Sequence, residues 1–335
     1  MLIHGHWAAA AIATAVSCSL FTMLESRRAT AEAICREAHL SPKGGRALLG
    51  ALVGLGLLEV SRGRYRDSPL ASAYLVEGKP FFLGHLSRAV FLSGGVGHLW
   101  LSLPEAVRAG SLDEAHWRRL LKVFTPSEYG VDLVDAIREF TRAAACAAAR
   151  HLAFGRRGPA RILDIGGGAG VFSEVFLGVN RKATALQVDF PVMNGLARLR
   201  LDQTGLGGRF ETLDGDFRRL PLEPASFDVV IYSNLAHFHS QEQNSIDVRK
   251  AAGLLKDHGT LVFNDYLTSD DGTGDPLALL SGLNWLFLSQ SGRSWPLRDV
   301  KRWLRDAGLR RIVSERAPMV TTLIYGQKDP RRRHG

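Results

Sequence analysis

The feature that most constrains this chain is the stretch Ile162-Leu163-Asp164-Ile165-Gly166-Gly167-Gly168-Ala169-Gly170. The apolar run from Ala160 to Ile165, broken by Arg161, reads as a buried strand, and Val171 to Leu177 reads as the start of a helix. A strand that passes through glycines directly into a helix is the opening unit of a doubly wound α/β sheet. Glycine suits the turn because it adopts dihedrals closed to other residues and lets the backbone approach a ligand. The helix N-terminus then faces whatever lies over the strand ends. Taken alone, the turn is also compatible with a plain strand–helix connection. Two acids narrow the reading. Asp164 precedes the glycines. Asp189 ends the next apolar run, Ala183 to Val188, at an offset of about 20 residues, where a carboxylate accepts hydrogen bonds from ribose hydroxyls. The ligand these residues fit is a nucleoside.

The 335 residues, 46% hydrophobic and 22% charged, suggest two globular domains. Cys18, Cys35 and Cys146 show no CxxC spacing and read as small buried side chains of a reducing compartment, so a cytoplasmic protein is expected. Trp7 to Leu24 is apolar, but no Lys or Arg precedes it, and Ser17, Cys18 and Ser19 interrupt it. That pattern fits a helix packed in a domain better than a signal peptide, and no other stretch is suited to span a bilayer. The net charge of +9 comes partly from Arg331-Arg332-Arg333, in a tail (331–335) expected to be disordered. The remaining basic residues are scattered without aromatic interleaving, so no nucleic-acid partner is expected.

Residues 1–115 read as a mainly helical domain. Thr30 and Ser41, the latter followed by Pro42, are N-caps. Glu59 to Arg66 reads as a hairpin turning at Arg62-Gly63. Helix, turn, helix, hairpin is a winged-helix pattern. Its second long helix, Arg46 to Leu58, offers an almost unbroken apolar surface, which points to burial on several sides, in a core or a dimer, rather than to the reading of base edges. Residues 116–330 begin with an expected helix over Val131–Phe154, Ala-rich near its end. Strands expected over 160–165, 183–188, 209–213, 227–233 and 260–264 alternate with helices, a mainly parallel sheet with helices on both faces.

In such a sheet ligands bind outside the C-terminal strand ends. The ends deliver Asp164 with the glycines, Asp189-Phe190-Pro191, Gly215-Asp216-Phe217, Ser233-Asn234-Leu235-Ala236-His237 and Asp265. A carboxylate at 216 can take an adenine amino group, and Phe217 can stack on the ring. Taken alone, His237 reads first as a satisfied histidine at a strand end, and His237-Phe238-His239 lacks the acidic neighbours of a metal site, so no metal is expected.

This set of motifs, in this order, resembles the S-adenosylmethionine-dependent small-molecule O-methyltransferases with an N-terminal winged-helix dimerisation domain, such as plant phenylpropanoid and bacterial polyketide methyltransferases. The resemblance covers nearly the whole chain. It implies a Rossmann-like α/β methyltransferase fold, a homodimer formed through the N-terminal domain, and S-adenosyl-L-methionine as cofactor. The cofactor would be held by Asp164, Gly166, Gly168, Asp189, Asp216, Phe217 and Ser233, the last standing where plant enzymes often carry Lys. It also implies His237 as general base with Asp265 orienting it. A second acid of the plant pattern is replaced by Ser294 in Gly292-Arg293-Ser294-Trp295-Pro296. Trp285, Trp295 and Asn284 are candidates for the acceptor pocket. The acceptor itself is expected to be a hydroxyl of a small aromatic or polyketide-like molecule. C- or N-methylation, a cofactor-bound cyclase or isomerase, and a ligand-sensing DNA-binding regulator are the rival readings.

Overall fold

The computed structural model describes residues 2–91, 96–111 and 128–330; the tail 331–335, expected to be disordered, lies outside the described residues. Two compact units divide the chain, Met1–Ser102 with Val123–Glu139, and Leu103–Lys122 with Phe140–Gly335. The chain thus passes between the units more than once, whereas the sequence was read with a single boundary at 115.

In the first unit, the apolar run expected as one helix forms two, Gly5–Ser17 and Leu20–Leu24. Ser19 between them is left-handed (φ 51°), and the break lets Leu20, Phe21 and Leu24 all turn into the core. The caps form as the sequence implies: Thr30 accepts from the Ala33 N–H, and Ser41 from the Gly44 N–H. Three short strands, β1 (Ala29–Thr30), β2 (Leu58–Ser61) and β3 (Arg64–Asp67), pair in the order β1-β3-β2. The β2–β3 turn has positive φ at both Arg62 (50°) and Gly63 (71°), the geometry that matches strand twist in a two-residue hairpin. Helix Pro42–Gly54 buries Gly45, Leu49 and Leu52 on one face only, and Leu55 just beyond it remains 41% exposed. Within one chain, burial on several sides is therefore not reached.

The second unit is built on a seven-stranded sheet of β4 (Arg161–Ile165), β5 (Thr184–Asp189), β6 (Phe210–Asp214), β7 (Phe227–Ser233), β8 (Leu255–Asp265), β11 (Leu309–Arg316) and β12 (Thr322–Lys328), in the order β11-β12-β8-β7-β4-β5-β6. The five strands from β8 to β6 run parallel, and β12 is antiparallel to both neighbours. A separate two-stranded pair, β9 (Leu267–Thr268) and β10 (Trp295–Pro296), lies between β8 and β11 in the chain. The long helix runs Glu128–His151 rather than 131–154. Alternate strand residues enter opposite cores. Ile162, Val229, Ile231 and Val262 pack with Phe172, Phe176 and Ala144, Ala145 and Ala148 of that helix. Leu163, Val230 and Phe263 pack with Val248, Trp303 and Leu304. From β4 the chain winds first to β5 and β6, then back to β7 and β8, so the order reverses beside β4 and opens a crevice at the strand ends.

The glycine turn follows β4. Gly166, Gly168 and Gly170 have φ of 60°, 55° and 76°. Gly167 is glycine for a different reason: a Cβ there would stand 2.4 Å from Gln187 Oε1 and 2.8 Å from Asp164 Cγ, both buried.

Two predictions follow from this packing. Gly167→Ala should lower stability by about 1–3 kcal/mol, because neither neighbour can yield without losing its own hydrogen bonds; denaturant unfolding of the full chain measures it. In the first unit, both carboxylate oxygens of Asp67 are buried without a hydrogen-bond partner among the described residues. Burial, with Glu25 adding and Lys79 opposing, pushes this carboxyl from 3.8 up to about 7. A folded-state value above the unfolded one means that folding favours the protonated form. Stability should therefore fall as pH rises through that interval and level off above it. Asp67→Asn should raise Tm by about 2–6 °C at pH 8 and by less at pH 5.

Candidate active site

The walls of the crevice are set by hydrogen bonds from β5. The Gly166 N–H donates to the Val188 carbonyl (2.8 Å), and the Gly168 N–H donates to Asp189 Oδ2 (2.8 Å). Asp189 Oδ1 accepts from the Phe190 N–H (2.7 Å). Burial pushes the Asp189 carboxyl up while these two N–H groups pull it down, and its remaining lone pairs are those that vicinal hydroxyls can use. Two fully buried amides that sequence reasoning missed hold this edge. Gln187 Nε2 donates to the Gly168 carbonyl (3.0 Å) and to Asn194 Oδ1 (3.1 Å). Asn194 Nδ2 lies 3.0 Å from the Asp189 carbonyl and 2.7 Å from Asp214 Oδ1. The available signal was an amide in the otherwise apolar run of β5.

A cavity of about 900 Å³ lies over these strand ends. Gly166, Asp189, Asp216 and Phe217 all line it, so four of the expected cofactor residues come together. Phe217 is held from below: Lys250 Nζ lies 4.9 Å from its ring centroid and donates to the carbonyls of Phe217 (2.6 Å), Arg218 (3.1 Å) and Leu220 (2.9 Å). Asp216 pairs with Arg218, whose N–H and Nε–H both donate to Oδ1 (3.0 and 2.9 Å). The side-chain bond from Arg218 holds the Asp216 carboxyl below the usual range. Arg218 itself lines the cavity and was not foreseen.

Two expected contacts are spent elsewhere. Asp164 is 1% exposed, and its Oδ2 accepts from both the N–H (3.2 Å) and the Oγ–H (2.8 Å) of Ser173. It ties the turn to the first turn of helix Val171–Val179. Burial pushes it up to about 6 against those two hydrogen bonds, with Asp189 adding. Ser233 Oγ accepts from Asn264 Nδ2 (3.0 Å) and is not in the cavity wall. Gly168 is also outside the wall, and acts through its N–H and carbonyl on β5.

His237 sits in a short 3₁₀ turn, Ala236–Phe238, after β7, and Asp265 ends β8 beside it. His237 Nδ1 lies 2.6 Å from Asp265 Oδ1, and the His237 backbone N–H donates to Oδ2 (3.3 Å). The Tyr266 N–H also donates to Oδ1 (2.8 Å). An anionic acceptor at Nδ1 fixes the proton there and leaves Nε2 as the ring's basic atom. The imidazole stacks on Trp285 with centroids 3.6 Å apart and planes 12° from parallel. His237 is 4% exposed and is not in the wall of the 900 Å³ cavity, whereas its neighbours Phe238 and His239 are. A Cβ at Gly292 would stand 1.8 Å from the His237 carbonyl oxygen, and Ser289 Oγ donates to the Phe238 carbonyl (2.7 Å). The segment after helix Pro276–Leu288 thus supports the turn from behind.

Of the three expected pocket residues, Trp285 reaches His237. Asn284 precedes it on the same helix, half-buried and outside the cavity wall. Trp295 is packed in the core against Trp303, and its Nε1–H donates to the Ala236 carbonyl (2.9 Å), so it braces the histidine turn instead of facing a ligand. Ser294 donates to the Ala278 carbonyl (3.0 Å). Among the described residues no cluster of three His, Cys, Asp or Glu could hold a metal.

The cavity size, the backbone-pinned Asp189, the aromatic Phe217 and the glycine edge together fit an adenosyl ligand. Known proteins agree. Residues 1–77 match the family model of the O-methyltransferase dimerisation domain, and residues 163–263 match a methyltransferase domain. The 3-hydroxy-5-methyl-1-naphthoate 3-O-methyltransferase of Streptomyces sahachiroi is 28% identical, covering 98% of this chain and 94% of that protein. The tetracenomycin polyketide synthesis 8-O-methyl transferase of Streptomyces glaucescens is 26% identical, covering 95% and 92%. Human N-acetylserotonin methyltransferase, solved in complex with SAM, shares the fold with a TM-score of 0.82 at 20% identity, over 98% of this chain and 96% of that one. The chain belongs to the S-adenosylmethionine-dependent methyltransferases that carry an N-terminal O-methyltransferase dimerisation domain.

Proposed function

We propose that this protein methylates a hydroxyl of a small aromatic or polyketide-like molecule, with His237 as general base. The observation that carries the proposal is the 2.6 Å contact between His237 Nδ1 and Asp265. S-adenosylmethionine, when bound, supplies an electrophilic methyl group on a sulfonium. Asp189 would hold its ribose hydroxyls, Asp216 and Phe217 its base, and the Gly166 edge its amino-acid part.

The chain's own task is to prepare the acceptor. A phenol has a pKa near 10 and is a poor nucleophile while protonated. His237 would take that proton at Nε2 as the oxygen reacts, and Asp265 would steady the imidazolium through Nδ1–H. The stacked Trp285 keeps the ring from turning about that bond. Alignment of the acceptor oxygen supplies the rest of the acceleration. The two named relatives, both O-methyltransferases and one acting on a naphthoate, support a fused aromatic acceptor.

The dimerisation domain supports a homodimer. The exposed apolar side chains of its segment, Ile3, Trp7, Leu55 and Val60, are the surface a second copy would cover. The free thiols of Cys18, Cys35 and Cys146 suit the cytoplasm. No described helix is long and apolar enough to cross a membrane.

His237→Ala should lower kcat by about 10²–10⁴-fold while leaving S-adenosylhomocysteine affinity within about twofold. Labelled cofactor and a panel of hydroxylated naphthoates and anthraquinones measure the first, and calorimetry the second; undiminished turnover removes the base role. Gly292→Ala, whose new methyl must displace the His237 carbonyl, should reduce kcat by about 10-fold or more, again with cofactor affinity retained.

A further inference from the structure

The expected seat for the adenine amino group is not free. Asp216 Oδ1 already accepts two hydrogen bonds from Arg218, and Oδ2 lies 3.1 Å from the same Nε. A second carboxylate, Asp247, lines the same cavity. It is 2% exposed and takes Gln243 Nε2 at 2.7 Å on Oδ1; the Tyr232 hydroxyl lies 3.4 Å from Oδ2 but nearer, at 3.2 Å, to Asn244 Oδ1, and His239 faces the carboxylate electrostatically. Its charge acts on Arg218, and burial keeps its carboxyl above the usual range. Asp247 lies three residues before Lys250 on helix Gln241–Leu254, so the two share one helix face. Lys250 grips the backbone of the Arg218 loop through three carbonyls. The loop is therefore fixed to the helix while the Arg218 side chain, half-exposed, remains able to turn.

We propose that Asp247 is the alternative seat for Arg218: when the cofactor's base takes Asp216, the guanidinium exchanges one carboxylate for the other and leaves the base its seat. Asp247 is thus a positioning residue for cofactor binding and touches no reacting atom. The exchange gives Arg218 one ion pair in each state, and Arg219, whose Nε lies 4.0 Å from Asp216 Oδ2, stays beside the carboxylate that Arg218 leaves. The neutral donor on Asp247 suits this role, since Gln243 holds the carboxylate in place without satisfying its charge.

The inference rests on Asp216 being the base-binding residue, and the test separates the two. S-adenosylhomocysteine binding is measured by calorimetry on the full chain and its variants, with thermal unfolding to verify each fold. Asp216→Asn should weaken binding about tenfold; unchanged affinity overturns the assignment of Asp216 and the exchange with it. If Asp216→Asn does weaken binding, Asp247→Asn should weaken it about tenfold as well, because Arg218 then has no second partner. Arg218→Ala should bind at least as tightly as the parent, and adding Asp247→Asn to it should change nothing. An unaltered Kd for Asp247→Asn, an equal loss in both backgrounds, or a tenfold loss in Arg218→Ala alone overturns the exchange while leaving Asp216 in its role.

Discussion

A buried amide, Gln187, and the β4–β5 register it belongs to hold the ligand-facing edge together. Glycines give the turn its shape but cost entropy to order, so the turn must be fixed from outside. The fixing groups all come from β5: the Val188 carbonyl to Gly166, Asp189 to Gly168, and Gln187 to the Gly168 carbonyl. Their spacing works because Ile165 is in register with Val188. A slip of one residue would send Gln187 to the opposite face and remove Asp189 from the turn. The site is thus specified by strand pairing before any ligand arrives.

The same economy governs charge. Asp164, Asp189 and Asp265 end strands or stand near their ends, and each is met by backbone N–H groups, from Ser173, from Gly168 and Phe190, and from His237 and Tyr266. A carboxylate taken out of water needs such donors, and loops at the C-terminal ends of parallel strands present them. Asp216 differs: beyond the Arg218 N–H it is met by a guanidinium, a partner that can move. Backbone-held carboxylates fix the turn, the β5 edge and the histidine, while the Asp216–Arg218 pair stands in the cavity wall.

How far the sequence disclosed this follows from the range of each interaction. Caps, hairpin and glycine turn are local, and Thr30, Ser41, Arg62-Gly63 and the strand before Gly166 were legible because their chemistry lies within a few residues. The pairing of His237 with Asp265 was legible although 28 residues separate them, since Asp265 ends β8 and His237 follows shortly after the end of the neighbouring parallel strand β7. The final strands β11 and β12 escaped notice. β11 lies at the sheet edge and carries Arg310, Arg311 and Arg316, which hides its alternation. Trp295 was read as a pocket wall because aromatic content marks binding sites, yet its N–H serves the Ala236 carbonyl, a tertiary fact with no local trace. Arg218 and Asp247 were invisible for the same reason, charges on separate elements joined only by the cavity.

The histidine shows how a missing acid can be offset without another charge. One hydrogen bond from Nδ1 to Asp265 fixes a point but leaves the ring free to pivot about it. Where the plant pattern supplies a second carboxylate, Ser294 here turns to the Ala278 carbonyl. A flat surface can remove the pivot instead, and Trp285 provides one nearly parallel to the imidazole. Trp295 from the core side and Gly292 against the backbone then keep the turn itself from shifting. An indole adds orientation but no negative charge, so among the described residues Asp265 is the carboxylate in hydrogen-bond contact with the ring. That carboxylate also accepts two backbone N–H groups, which spread its charge and hold its plane. The arrangement therefore fixes the imidazole through one carboxylate, one indole face and a braced turn.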